Sequence, residues 1–123
     1  MRVGMLLSRV RVEEKLLIEA FEQRHVNLEL FDDRELVLDL GNLGKLREFD
    51  VIIERCIQHS RALYTLEYLN AWGVPTVNTA HVARVCGDKF VTTVELMTRN
   101  IPSPRTLLAF SEESALQAIE SLG

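Results

Sequence analysis

The stretch Asp50-Val51-Ile52-Ile53-Glu54-Arg55-Cys56-Ile57-Gln58-His59-Ser60-Arg61 decides the fold. Its first five residues are a β-branched run bounded by a polar turn, the pattern of a strand covered on both faces. A helix comes next. From about Ser60 to Trp72, Ala62, Leu66 and Leu69 fall on one stripe, with Ser60 placed as the cap and Gly73 as the stop. Val74-Pro-Thr-Val-Asn78 then reads as another short strand, giving strand, helix, strand.

The same unit recurs upstream. Arg2 to Leu7 is an apolar run, and Val12, Leu16, Leu17, Ala20 and Phe21 succeed it at three- and four-residue spacing, a strand and then an amphipathic helix. Val26 to Phe31 alternates as a strand and ends at a turn, Asp32-Asp33. Glu35 to Arg47, with Gly41 and Gly44, is a connection with room for a short strand. The order predicts an α/β fold, an open and mostly parallel Rossmann-like sheet with right-handed crossovers.

Past Asn78 the pattern changes. Thr79 is placed to cap a short helix through Cys86, with Gly87 as its left-handed stop. Asp88 is placed to cap another, lined by Phe90, Val94 and Met97. Ile101-Pro-Ser-Pro104 is a rigid link, Arg105 to Phe110 reads as a strand, and Ser111-Glu-Glu-Ser114 opens a last helix whose apolar stripe is Ala115, Ile119 and Leu122. An α/β unit that ends on a glycine at a helix terminus normally continues into a strand, so a longer protein is expected.

Composition bounds the function. The 123 residues have room for one domain, or one domain and the start of a second. Fourteen Lys and Arg against eighteen Asp and Glu leave a formal charge of -4, which removes the broad electrostatic attraction nucleic-acid binders need. MRVGMLL at the start is too short for a signal or a membrane span, and a cytoplasmic location without membrane attachment is expected. Cys56 and Cys86 lack metal-ligand spacing and read as small buried hydrophobes.

Ligands of open parallel sheets gather beyond the carboxyl ends of the strands. Those ends carry Ser8 and Arg9, then Glu54, Arg55 and Cys56, then Asn78. Arg55 and Arg61 suit a carboxylate or phosphate, because a guanidinium donates two parallel hydrogen bonds. A solvated loop with arginines paired to Glu54 or helix acids explains any one residue slightly better than a site does; the group as a whole favours a site. His59 has no partnering acid or nucleophile in the pattern. No GxGxxG comes after the first strand, and neither GxxxxGK[ST] nor GxSxG occurs, so no complete active site and no catalytic residue emerge. Lys89 poses a puzzle. It falls in the first turn of a helix, where the macrodipole favours an anion over a cation.

Ile53-Glu-Arg-Cys56, Ser60-Arg-Ala-Leu-Tyr64, Gly73-Val-Pro-Thr-Val-Asn78, Cys86-Gly-Asp-Lys89 and Ile101-Pro-Ser-Pro104, in this order and spacing, resemble the N-terminal part of RimK-type ATP-grasp carboxylate-amine ligases, most of all the LysX and ArgX group. The resemblance runs from Met1 to Gly123. It implies a pre-ATP-grasp α/β domain over residues 1–79 and the beginning of the ATP-grasp domain over 80–123. It implies ATP as the anion beside Lys89, with Mg2+ held by residues beyond Gly123, and an acyl phosphate attacked by an amine. Arg9, Arg55, Ser60 and Arg61 become expected contacts to a small amino-acid substrate, α-aminoadipate or glutamate, or to an acidic amino-group carrier protein of lysine or arginine biosynthesis. Gln58-His59 departs from the small polar residues usual in relatives. The 123 residues alone are expected to be inactive, and a homo-oligomer is compatible with the sequence. The competing reading is a stand-alone flavodoxin-like binding or signalling module. A receiver domain would need an acceptor Asp where the chain has Glu54-Arg55.

Overall fold

The computed structural model describes every residue, Met1–Gly123. Strands β1 (Arg2–Leu7), β2 (Asn27–Asp32), β3 (Val51–Arg55) and β4 (Thr76–Val77) form one parallel sheet in the order β2-β1-β3-β4. Helix α1 (Val12–Gln23) connects β1 to β2, and α2 (His59–Ala71) connects β3 to β4. A parallel pair needs such a crossover, which is why the helical stretches lie between these strands. The parallel α/β class read from the sequence is the one observed.

β1 occupies the centre and is almost completely buried. Leu6 and Ile52 point to the same side as Leu43, Leu46, Phe49, Tyr68, Leu69 and Val74, which together make the core. Each fully buried side chain such as Leu6, Ile52, Leu66 or Leu69 contributes about 1.5–3 kcal/mol relative to exposure. Gly4 leaves room on this face: a Cβ there would come within 3.1 Å of Ile52, 3.2 Å of Phe31 and 3.4 Å of Phe49, rings that pack edge to face 5.3 Å apart. Alternate residues Val3, Met5 and Leu7 face the other side.

The connection from β2 to β3 contains no strand; it makes an isolated bridge, Asp39 to Asn42, and a 3-10 helix over Gly44–Glu48. It is held down by Tyr68, whose hydroxyl is shared between the carbonyls of Asp39 (3.0 Å) and Asn42 (2.8 Å). β4 is shorter than the expected Val74–Asn78. Pro75 has no N–H to donate, so only its carbonyl joins the sheet, accepting from Ile52 at 2.9 Å.

Three helices end alike. After α2, Gly73 is left-handed, its N–H donates to Asn70 and that of Val74 to Leu69, the doubled bond that caps final carbonyls. His25 serves the same purpose after α1. Asn100 serves it after α4 (Lys89–Thr98). Gly87 does not act as the expected left-handed stop. It is the last residue of α3 (Ala80–Gly87), and a Cβ there would lie 1.9 Å from Cε1 of His59, so any larger residue requires that exposed ring to move.

The chain divides into two compact units, Met1–Gly87 and Asp88–Gly123. Helix α3, placed from the sequence at the opening of the second domain, packs on α2. Asn70 explains the attachment: its Oδ1 accepts from Ala80 N at 2.9 Å, while its Nδ2 donates to Thr76 Oγ1 at 2.8 Å. Arg84 of α3 also pairs with Glu67 of α2. In the second unit, Arg105–Phe110 has a strand-like sequence but no ladder partner, and it runs as irregular chain before α5 (Glu112–Leu122). Arg105 ties it to α5 through Ser121 O (2.7 Å) and Oγ (2.8 Å). Phe90, Val94 and Met97 are half exposed or nearly so, since two helices without a sheet have little to bury them against.

Candidate functional site

The carboxyl edge of the sheet is built from the ends of β1, β2 and β3 and the start of α2. Two hydrogen bonds tie it together: Asp33 N donates to Leu7 O at 3.0 Å, and Ile57 N donates to the Ser8 side-chain Oγ at 3.0 Å. The first anchors the end of β2 to β1, and the second anchors the loop after β3 to the loop after β1.

Two of the expected arginines are held on this edge by carboxylates: Arg55 by an acid of a helix, a pairing the sequence left open, and Arg61 by a turn acid that the sequence did not connect to it. Glu14, in the first turn of α1, is completely buried. Its Oε1 accepts from Arg55 Nε (2.9 Å) and from Arg11 Nη2 (2.8 Å) and forms an ion pair with Arg55 Nη2 (2.9 Å), and its Oε2 accepts from Arg11 N (3.0 Å) and Nε (2.9 Å). The hydrogen bonds from Arg11 lead the forces that hold the Glu14 carboxyl down at about 2, against a burial cost that acts upward. Asp33 does the same for Arg61, accepting from its Nε at 2.8 Å with no exposure of the carboxylate. The other Asp33 oxygen, Oδ1, is buried with no hydrogen bond.

Neither terminal nitrogen of Arg61 has a hydrogen-bond partner, and Nη1 of Arg55 is equally unoccupied. The two side chains stay 40% and 34% exposed. Each guanidinium is thus gripped from behind, through Nε, with part of its fork open to a ligand. Arg9 and Ser60 are exposed on the same edge. Ser60 lies inside the first turn of α2, which begins at His59 with Gln58 as the N-cap, so it does not serve as the expected cap. The turn expected at Asp32-Asp33 is present: Asp32 ends β2, its carbonyl accepts from Glu35 N at 3.1 Å, and its carboxylate accepts from Arg34 Nε at 2.8 Å.

Beside this edge lies a cleft of about 290 Å³ whose walls include Glu54, Cys56, His59, Asn78 and Cys86. The two cysteines depart from their expected burial: Cys86 is exposed and Cys56 only partly covered. Burial, then the charges of Glu54 and Asp33, pushes the Cys56 thiol far up, so it stays protonated. No group of three or more His, Cys, Asp and Glu side chains is arranged to hold a metal ion. No helix is long and apolar enough to cross a membrane.

In the second unit, Asp88 caps α4 by accepting from Phe90 N (2.9 Å) and Val91 N (3.1 Å), and it supplies the local anion that the helix start favours. Lys89 is the first residue of that helix, exposed and without an ion pair.

Known proteins place the chain. It is 38% identical over all 123 residues to the glutamate–LysW ligase ArgX of Sulfurisphaera tokodaii, of which it spans 43%. It is 31% identical over 113 residues to the α-aminoadipate–LysW ligase LysX of Saccharolobus solfataricus, covering 41% of that protein. The chain therefore spans under half the length of these curated relatives. Among solved structures, a RimK domain ATP-grasp protein from Sphaerobacter thermophilus superposes on the whole chain with a TM-score of 0.83 at 31% identity, 46% of that protein being covered. The family description "LysX preATP-grasp domain" matches residues 3–85. With its parallel sheet, its arginine-bearing carboxyl edge and this match over more than half of its length, the chain belongs to the LysX preATP-grasp domain family.

Proposed function

We propose that the chain is the N-terminal part of an ATP-dependent carboxylate-amine ligase that joins glutamate or α-aminoadipate to an acidic carrier protein of the LysW type in the cytoplasm. In that reaction the carrier's terminal carboxylate takes up a phosphoryl group from ATP, and the amine of the amino acid then displaces phosphate to form an amide. Residues 1–79 serve as the pre-ATP-grasp domain and the remainder opens the ATP-binding domain. The observation that carries the reading is the pair of arginines, Arg55 and Arg61, each held by a buried carboxylate with its fork partly open. Such an arrangement suits a receptor for carboxylate groups: Arg61 keeps both terminal nitrogens, the pair that binds a carboxylate bidentately, and Arg55 keeps Nη1.

Arg9 and Ser60 complete the substrate edge in this reading. Lys89 contributes a mobile point charge to a phosphate of ATP, a role its exposed and unpaired ammonium fits. The 123 residues offer no acidic cluster for Mg2+. The metal's chemistry, shielding phosphate charge during transfer, is assigned to the remainder of the ligase, and the isolated chain has no turnover of its own.

The decisive experiment measures ATP affinity in the full-length ligase carrying Lys89→Ala. Binding weakens roughly tenfold, equivalent to about 1.4 kcal/mol, while circular dichroism stays unchanged. Undiminished affinity removes Lys89 from the nucleotide site.

A further inference from the structure

We propose that Glu14 and Asp33, neither of which reaches the substrate, are positioning residues that set Arg55 and Arg61 as a rigid receptor for the two carboxylates of a dicarboxylic amino acid. This rests on the assignment of those arginines to substrate binding.

An arginine has many rotamers, and ordering it on binding opposes affinity. Here both are ordered before any ligand arrives. Glu14 lies 41 residues from Arg55 and Asp33 lies 28 from Arg61, and both carboxylates are fully buried in the folded chain. Asp33 is itself fixed by its N–H to Leu7 O, and Glu14 by the backbone N–H and side chain of Arg11. Both anchors engage Nε. Arg61 keeps both terminal nitrogens for a ligand, and Arg55 keeps Nη1. The orientation is thus imposed from the protein side of each fork, the preorganised form of recognition.

A purely electrostatic role predicts the opposite response to mutation. Neutralising a carboxylate beside an arginine strengthens its attraction for an anion, so the Michaelis constant would fall. Loss of positioning makes it rise. The sign separates the two.

The test compares Glu14→Gln, Asp33→Asn, Arg55→Ala and Arg61→Ala in the full-length ligase, with glutamate and α-aminoadipate as amine substrates, at a temperature where circular dichroism shows each protein folded. Glu67→Gln, which pairs with Arg84 away from this edge, is the control. Positioning predicts that Glu14→Gln and Asp33→Asn raise KM for the amino acid roughly tenfold, with kcat changed less than twofold and KM for ATP unmoved. Should Glu14→Gln not fold, Asp33→Asn decides by itself. If the arginine variants raise KM and the carboxylate variants leave it unchanged or lower it, the positioning role is overturned and the substrate assignment stands. If the arginine variants leave KM unchanged, both fall together.

Discussion

At the scale of single residues, Glu14 carries the most consequence for the least sequence signal. A glutamate in the first turn of a helix is an ordinary surface choice, because the macrodipole favours it there. Nothing in the local pattern marks it as buried, since its partners are Arg11 on one side and Arg55 on a distant strand. Arg55 and Arg61 were legible as arginines of the carboxyl edge from their position at and after the end of β3, and pairing with a helix acid was one reading of them, whereas the particular partners, Glu14 and Asp33, were not legible, because such pairings exist only after the sheet has formed. The Glu14 carboxyl is held at about 2, below its ordinary 4.5. A depressed carboxylate lends stability that is complete above the ordinary value and lost as pH falls toward the folded value. Acid titration monitored by circular dichroism is therefore expected to show stability declining from about pH 4.5 toward 2. Glu14→Gln should flatten that decline and cost about 1.5–3 kcal/mol at neutral pH, the loss of charged hydrogen bonds.

At the scale of elements, the strands and helices were legible wherever periodicity and punctuation agreed. β1 and β3 are apolar runs in the centre of the sheet, and α2 ends at Gly73 as its sequence indicates. Legibility failed where the deciding contact is not local. Gly87 resembles a helix stop, yet what it does is leave room for an imidazole from the start of α2. Arg105–Phe110 has a strand's composition, but a strand exists only with a neighbour, and none is present in the unit. The end of α1 was missed for another reason: His25 takes a left-handed conformation usually given to glycine, with φ of 53°. That conformation costs a side-chain-bearing residue roughly 1 kcal/mol. His25→Gly is expected to relieve it and raise stability by up to about 1 kcal/mol in urea unfolding, with the helix end unchanged; a loss of stability would show that the imidazole makes a compensating contact.

At the scale of the whole molecule, the first unit is a sheet with one long irregular connection laid over its core, and Tyr68 is what fastens that connection. Burial, with a smaller contribution from the Asp39 charge, raises the phenol above its ordinary value of 10. A raised pKa stabilises the fold below the unfolded value, and the contribution disappears as pH climbs through the folded one. Stability should therefore fall above about pH 10. Tyr68→Phe, which leaves two carbonyls without their donor, should lower stability at neutral pH by about 0.5–1.5 kcal/mol and remove that alkaline slope. An unaltered slope in the variant would assign it to other groups.

The imidazole of His59 occupies the space where any larger residue at position 87 would place its first carbon, and both residues border the cleft that Cys56 and Cys86 share. The ring can take that place at the opening only because position 87 lacks a methyl group. Alanine at 87 would act as a doorstop, swinging the ring toward solvent and reshaping the entrance without touching a strand of the sheet.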